Sequence, residues 1–285
     1  MNKSTGADAL PLLVSFSGGK TSGFMSRYLQ ERYPDRRKVF AFANTGKERE
    51  ETLEFVDECD QRWGLKVVWL EAVVNPEFGK GTTHKIVTFE TAARSGEPFE
   101  AMIAKYGIPN QAFKHCSREL KSRVIASYVK HDLGWSEYET AIGIRADERH
   151  RINPKEAAKK RFIYPLADEI HVNKKIVNSW WEAQPFTLNL QEHEGNCDLC
   201  WKKSEKKLVR LIRESPARLD WWRAMERKYS TLQISHRQTL AEPAFFFRGN
   251  RSAEEMKELA EQVQIGLFPQ EGLSEVEQDC FCKST

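Results

Sequence analysis

The sequence has no apolar run approaching the roughly 20 residues that a helix needs to cross a bilayer. Residues 1–10 lack the basic-then-apolar order of a secretory signal. These absences predict a soluble, cytoplasmic protein with no membrane partner. No repeat or low-complexity segment is present. Charge of one sign is scarce: 44 Lys and Arg against 41 Asp and Glu leave +3, too little to imply nucleic acid by itself. Cysteine is limited to six residues, and in a chain read as cytoplasmic these argue against a disulfide framework. A Cys-x-x-Cys pair points instead to metal or redox chemistry.

With 285 residues, 40% of them apolar, the chain can bury a core as one large α/β domain with an appendage or as two small domains. Its most informative stretch is Ser17-Gly18-Gly19-Lys20-Thr21-Ser22. The apolar run 12–16 has the composition of a buried strand, and 21–31 carries Phe24, Met25, Tyr28 and Leu29 at helical spacing. A strand that turns through glycines into a helix presents backbone N–H donors and the positive helix end outward, which makes an anion site. Hydroxyls of Ser17, Thr21 and Ser22 and the charge of Lys20 make phosphate its natural guest. A turn that only caps the helix is the plainer reading.

Residues 38–43 read as a second strand ending in Asn44-Thr45-Gly46, 48–63 as a helix and 66–70 as a third strand. That alternation predicts right-handed crossovers, a parallel sheet, and a ligand crevice beyond its carboxyl ends, lined by both turns. Cys59 reads as a buried structural thiol. Residues 72–97 read as a loop, whose Lys80, Thr82, Thr83, His84 and Lys85 either contact a ligand or are merely solvated. Ser117 reads as the N-cap of a helix running to 133. That places Cys116 at a helix start beside His115, Arg118 and Lys121, a setting that favours thiolate; a structural cysteine is the alternative. A strand over 138–142 runs into Gly143-Ile144-Arg145-Ala146-Asp147-Glu148. There Arg145, Arg149 and Arg151 either grip phosphate or sulfate bidentately or form a solvated loop. Cys197 and Cys200 suit one metal or a redox disulfide, and can meet Cys116 only through the fold. Helices are expected at 98–106, 174–183, 204–213, 217–229 and 252–264. Cys280 and Cys282 suit a fourth metal ligand or a thiol that swings into a site.

Taken together, these motifs resemble the phosphoadenosine phosphosulfate (PAPS) reductase family within the PP-loop ATP pyrophosphatases, above all its phage- and prophage-borne members. The likeness covers about residues 10–213. It implies a Rossmann-like α/β fold of the adenine nucleotide alpha hydrolase type, a parallel sheet with helices on both faces and a mainly helical C-terminal extension. Residues 1–190 would be the nucleotide-binding domain, and 191–285 would carry the Cys-x-x-Cys motif, helices and Cys-Phe-Cys tail. The implied site for ATP or PAPS comprises Ser17, Gly18, Gly19, Lys20, Thr21 and Ser22, then Asn44, Thr45 and Gly46, then Gly143, Arg145, Asp147, Arg149 and Arg151, with Mg2+ as a companion. Catalytic roles fall to Lys20, Arg145, Cys280 and Cys282. Cys116, Cys197 and Cys200 would hold a 4Fe-4S cluster, with Cys282 or Cys280 as fourth ligand or one iron left open, or less fittingly zinc. Two departures stand out: Thr21 replaces the usual loop Asp, and one cysteine, preceded by His115, replaces an adjacent pair.

Three functions follow as expectations. The first is an ATP-dependent iron–sulfur sulfur transferase that forms AMP and pyrophosphate. Its acceptor would be a small molecule or a nucleic acid held by the basic stretches 149–161 and 202–213, with a cysteine desulfurase as partner. The second is sulfonucleotide reduction, in which Cys280 or Cys282 attacks sulfur and a thioredoxin-like partner releases sulfite. The third is a non-catalytic nucleotide-binding accessory protein of a phage.

Overall fold

In a computed structural model, which describes residues 9–232, 243–265 and 273–275, the period-two alternation of the first strands decides the architecture. Along β1 (Leu12–Ser15), Leu12 and Val14 enter one buried cluster and Leu13 another. Strands with both faces apolar need cover on both sides, and helices supply it. They alternate with α1 (Lys20–Arg32), β2 (Lys38–Asn44), α2 (Glu50–Trp63) and β3 (Val68–Val74). With β4 (Thr82–Val87), β5 (Glu139–Ala141) and β6 (Phe162–Ile163), the sheet order is β4-β3-β2-β1-β5-β6. Every pairing is parallel except β3–β4. The expected Rossmann-like α/β fold is therefore present, with its topological switch between β1 and β5.

The strand β4 corrects the expectation of a loop over 72–97. It is an edge strand with a polar sequence, Thr-Thr-His-Lys-Ile-Val, and half of it faces solvent. Its inward groups are polar as well. Thr82 donates to the buried Glu119 carboxylate at 2.7 Å, and His84 Nδ1 pairs with Ser127 Oγ at 2.9 Å. Composition alone does not separate such a strand from a loop. Two further small corrections concern β3, which runs four residues past its expected end, and the helix after Lys114. That helix begins at His115 rather than after Ser117, so Cys116 lies inside its first turn.

One face of the sheet is covered by α1, α2 and α8 (Lys174–Glu182). Met25, Leu29, Phe55, Val177 and Trp181 pack there on Leu12, Val14, Phe40 and Phe42. Over the other face lie α3 (Glu97–Tyr106) and the continuous run of α4 (His115–Ser117), a π-helical turn (Arg118–Ser122) and α5 (Arg123–His131). Two short helices, α6 (Pro154–Lys160) and α7 (Pro165–Asp168), flank β6. The segment beyond residue 190 contributes α9 (Glu205–Glu214), α10 (Leu219–Tyr229) and α11 (Ala253–Gln264). These extend the second face: one buried cluster runs from Leu13, Ala41 and Leu70 through Leu208 and Trp222 to Met256. The capped start expected at Ser252 is present, with Glu255 N–H donating to Ser252 Oγ and Ser252 N–H donating to Glu255.

Glu226 of α10 is a buried carboxyl that accepts the N–H groups of Ala253 at 2.7 Å and Phe246 at 3.3 Å. Burial outweighs these donors and pushes its pKa up to about 7. The folded state thus holds a proton there that the unfolded chain has released, and the associated stability is present below the unfolded pKa and lost as pH rises through about 7. The stability of wild type relative to Glu226→Gln should fall by roughly 2–3 kcal/mol between pH 5 and pH 8. Urea unfolding at both pH values measures this, and a pH-independent difference would show that Glu226 is ionised throughout.

Candidate functional site

The turn from β1 into α1 passes through Gly18 at φ +77°. A Cβ built there would stand 2.6 Å from Thr52 Cγ2 and 3.2 Å from the Phe42 ring, so α2 and β2 leave room for glycine alone. Ser22 holds the turn together. Its hydroxyl oxygen accepts the N–H of Ser17 and of Gly19, both at 3.2 Å, and its own proton goes to Gly19 O at 2.9 Å. Ser22 is buried, with its hydroxyl turned back on the loop rather than toward a guest. The first-turn N–H groups of α1, and the ammonium of Lys20, are the donors the turn presents.

Across the switch point, Gly143 follows β5, and a Cβ there would lie 3.5 Å from Ser22 Cα. That close approach carries Arg145 onto the loop, where its Nη1 donates to Thr21 Oγ1 at 3.2 Å. Thr21 is thus the loop residue that meets the arginine. Asp147 grips the same guanidinium at 3.0 and 3.1 Å, and hydrogen bonding from Arg145, ahead of its charge, holds the Asp147 carboxyl below the usual range. Glu148 lies between Arg145 and Arg151. The two turns face a cavity of about 550 Å³, a size suited to a nucleotide. Its lining includes the cations Lys20, Arg145, Arg151, Lys174 and Lys207, against the carboxylates Glu148 and Glu192.

Other predicted residues have different places. Asn44 is fully buried, donating to Glu71 at 2.7 Å and to Ala93 O at 2.8 Å and accepting from Gly46 N–H. Thr45 donates to Glu48. These side chains are engaged inside the protein, with β3, the segment at Ala93 and their own turn, and are not part of the cavity lining. Arg149 points to Ala167 O and Asp168, away from the cavity.

What the second turn positions is the cysteine motif. Asn196 O accepts from Arg49 N–H at 2.7 Å, Asp198 N–H donates to Lys47 O at 3.0 Å, and Glu48 and Cys197 form an antiparallel bridge. Asn196 then reaches the glycine loop, donating to Ser17 O at 2.8 Å. Lys202, buried, donates to Ser117 Oγ at 3.0 Å, which sets the Cys197–Cys200 segment against the helix bearing Cys116. The fold thus brings the two cysteine segments together, with the thiols of Cys116, Cys197 and Cys200 partly exposed and Cys59 buried. Among the described residues, however, no group of three His, Cys, Asp or Glu side chains is placed to hold a metal ion. Cys280 and Cys282 lie outside the described residues.

Sequence reasoning missed Asn196, Lys174 and Trp181 as site residues. Trp181 Nε1 donates to Lys20 O at 2.8 Å and anchors α8 on the loop, which brings Lys174 to the cavity. The one local signal was the position of Asn196 directly before Cys197.

The fold and this site define a doubly wound α/β protein with a cavity rich in cations at its switch point. No protein-family model matches the chain. It is 34% identical over 200 residues to the uncharacterized nin region protein ORF290 of Escherichia phage lambda, covering 69% of this chain and 67% of that protein, and it belongs to that protein's family. A more distant match, 22% over 232 residues, is to the uncharacterized protein MJ0066 of Methanocaldococcus jannaschii; it covers 77% of this chain and 42% of that one. No described helix is long and apolar enough to cross a membrane.

The tightness of the turn is open to measurement. Gly18→Ala combines a left-handed backbone with a clash and should cost about 2–4 kcal/mol. Gly64→Ala, at φ +60° with nothing within 4 Å of its Cβ, should cost only about 1 kcal/mol. Equal losses in chemical denaturation would show that the approach to Thr52 is not what demands glycine.

Proposed function

We propose that the chain is an adenine-nucleotide-binding enzyme of the PAPS reductase-like, PP-loop kind that activates an acceptor with ATP. The observation carrying this reading is the meeting of the glycine loop and Arg145 across the β1–β5 switch, around a basic cavity of nucleotide size. The first-turn N–H groups of α1 and the Lys20 ammonium would hold the β- and γ-phosphates, and Arg145 would lie against the α-phosphate. An acceptor oxygen attacks the α-phosphorus, the bond to the bridging oxygen breaks, and pyrophosphate leaves with its charge balanced by Lys20 and the helix end. A sulfur nucleophile then displaces AMP from the activated carbon. The seating of Cys197 beside the loop, through Asn196, supports sulfur as that nucleophile. Kinship with a phage-encoded protein supports a phage setting.

Calorimetric titration of the full chain with ATP tests the site. Lys20→Ala and Arg145→Ala should each weaken binding by about tenfold or more, while Glu182→Ala on the far end of α8 should not. Turnover of labelled ATP with a competent acceptor should give AMP and pyrophosphate. Binding of adenosine 3′,5′-bisphosphate in preference to ATP would transfer the site to sulfonucleotide reduction, and binding of neither would end both readings.

A further inference from the structure

A second cavity, of about 430 Å³, opens on the sheet face away from α1, and it meets the nucleotide cavity at two shared residues, Ser15 and Ile142. From Ile142 it runs along the face of β5 as far as Tyr138, a strand rise of about 13 Å. The arrangement follows from the topology. The helical run of α4 and α5 covers β1 to β3 on this side, so the faces of β5 and β6 are left as the floor of a groove, with α5 as one wall and the end of α6 as the other.

Its lining is one-sided in charge. Arg118 and Arg123 rise from the helical wall, Lys159, Lys160 and Arg161 from the opposite one, and no carboxylate takes part. Outside the lining, Glu119 pairs with both wall arginines, Glu156 with Lys160 and Glu137 with Arg161. Five cations against those three carboxylates leave +2, and Lys159 has no ion-pair partner among the described residues. Glu119 does not cancel the charge by taking up a proton. Burial works to raise its pKa, but donors at Thr82 and Arg118 and the charge of Arg123 hold it below the usual range. The floor is apolar and partly aromatic: Phe162 lies under the Lys160 ammonium, 5.9 Å from the ring centroid, and Tyr138 is half-buried beside Trp135.

Cations on both walls with ring faces between them match the chemistry of a single-stranded polynucleotide, whose phosphates seek the cations while a base stacks on a ring. A cavity of this size is far too small for a duplex. We infer that this groove holds the acceptor, one nucleotide unit of a single-stranded nucleic acid, with its phosphates on Lys159, Arg161 and Arg123 and its base over Phe162. The junction at Ser15 and Ile142 then lets the base present an atom to the α-phosphate of a nucleotide in the first cavity. This acceptor role rests on the nucleotide site proposed above, whereas binding of the strand does not.

Fluorescence anisotropy of the full chain with a labelled single-stranded oligonucleotide, as DNA and as RNA, tests the groove. Lys159→Glu/Arg161→Glu and, on the other wall, Arg123→Gln should weaken binding by about tenfold and lower the slope of log Kd against log salt by about 1–2. ATP affinity and the melting temperature should stay at wild-type values in both variants, which separates a lost groove from a lost fold. Strand binding that ignores these substitutions overturns the inference, as does equal binding of a poly-glutamate peptide or full competition by equimolar AMP. Loss of ATP binding by wild type with strand binding retained would end the ATP reading and leave the groove standing.

Discussion

The hydroxyl of Ser22 is the interaction on which the site depends. The N–H groups of Ser17 and Gly19 converge on it, and its proton returns to Gly19 O. Without this knot a strand that leaves the sheet at Ser15 has no reason to enter a helix within five residues, and the first turn of α1 would not face the switch point. Everything else at the site is referred to that turn. Trp181 fixes its helix from one side, Asn196 its entering strand from another, and Gly143 brings Arg145 over its top.

The two clusters of apolar side chains explain why the turn can be so tight. Phe42 and Thr52 press on Gly18 because β2 and α2 are themselves held by Phe40, Leu53 and Phe55 in a packed layer. A dense interior resists local change, so a loop resting on it inherits its rigidity. A rigid set of donors is what charge stabilisation in a reacting phosphate requires, since donors already in place need not reorganise.

Much of this was legible in the chain. The apolar runs 12–16 and 38–43, the glycine punctuation after each, and the helical spacing that follows specify a parallel layer by local pattern. Ser17–Ser22 and Gly143–Arg145 stand at strand ends, where such a layer binds ligands. The rest was hidden for identifiable reasons. The β4 strand carries polar residues on both faces because its partners, Glu119 and Ser127, are polar. The burial of Asn44 depends on Glu71 and Ala93, tens of residues away, and nothing at Asn44 itself distinguishes a ligand contact from an internal one. Lys174 and Asn196 reach the site only because α8 and the cysteine segment are carried there by the tertiary fold. The approach of the Cys197–Cys200 segment to the helix bearing Cys116 rests on Lys202 reaching Ser117, a contact across 85 residues that no local spacing encodes.

The cluster joining Leu13, Ala41 and Leu70 to Leu208, Trp222 and Met256 has a consequence for heredity. Genes that trade parts do so most safely where a break exposes little oil to water. A junction near residue 190 would leave the sheet half-clothed and the later helices with nothing to lie against, so neither half would survive as a module. The sheet layer and the helices that follow the Cys197–Cys200 segment should therefore travel between genomes as one inheritance.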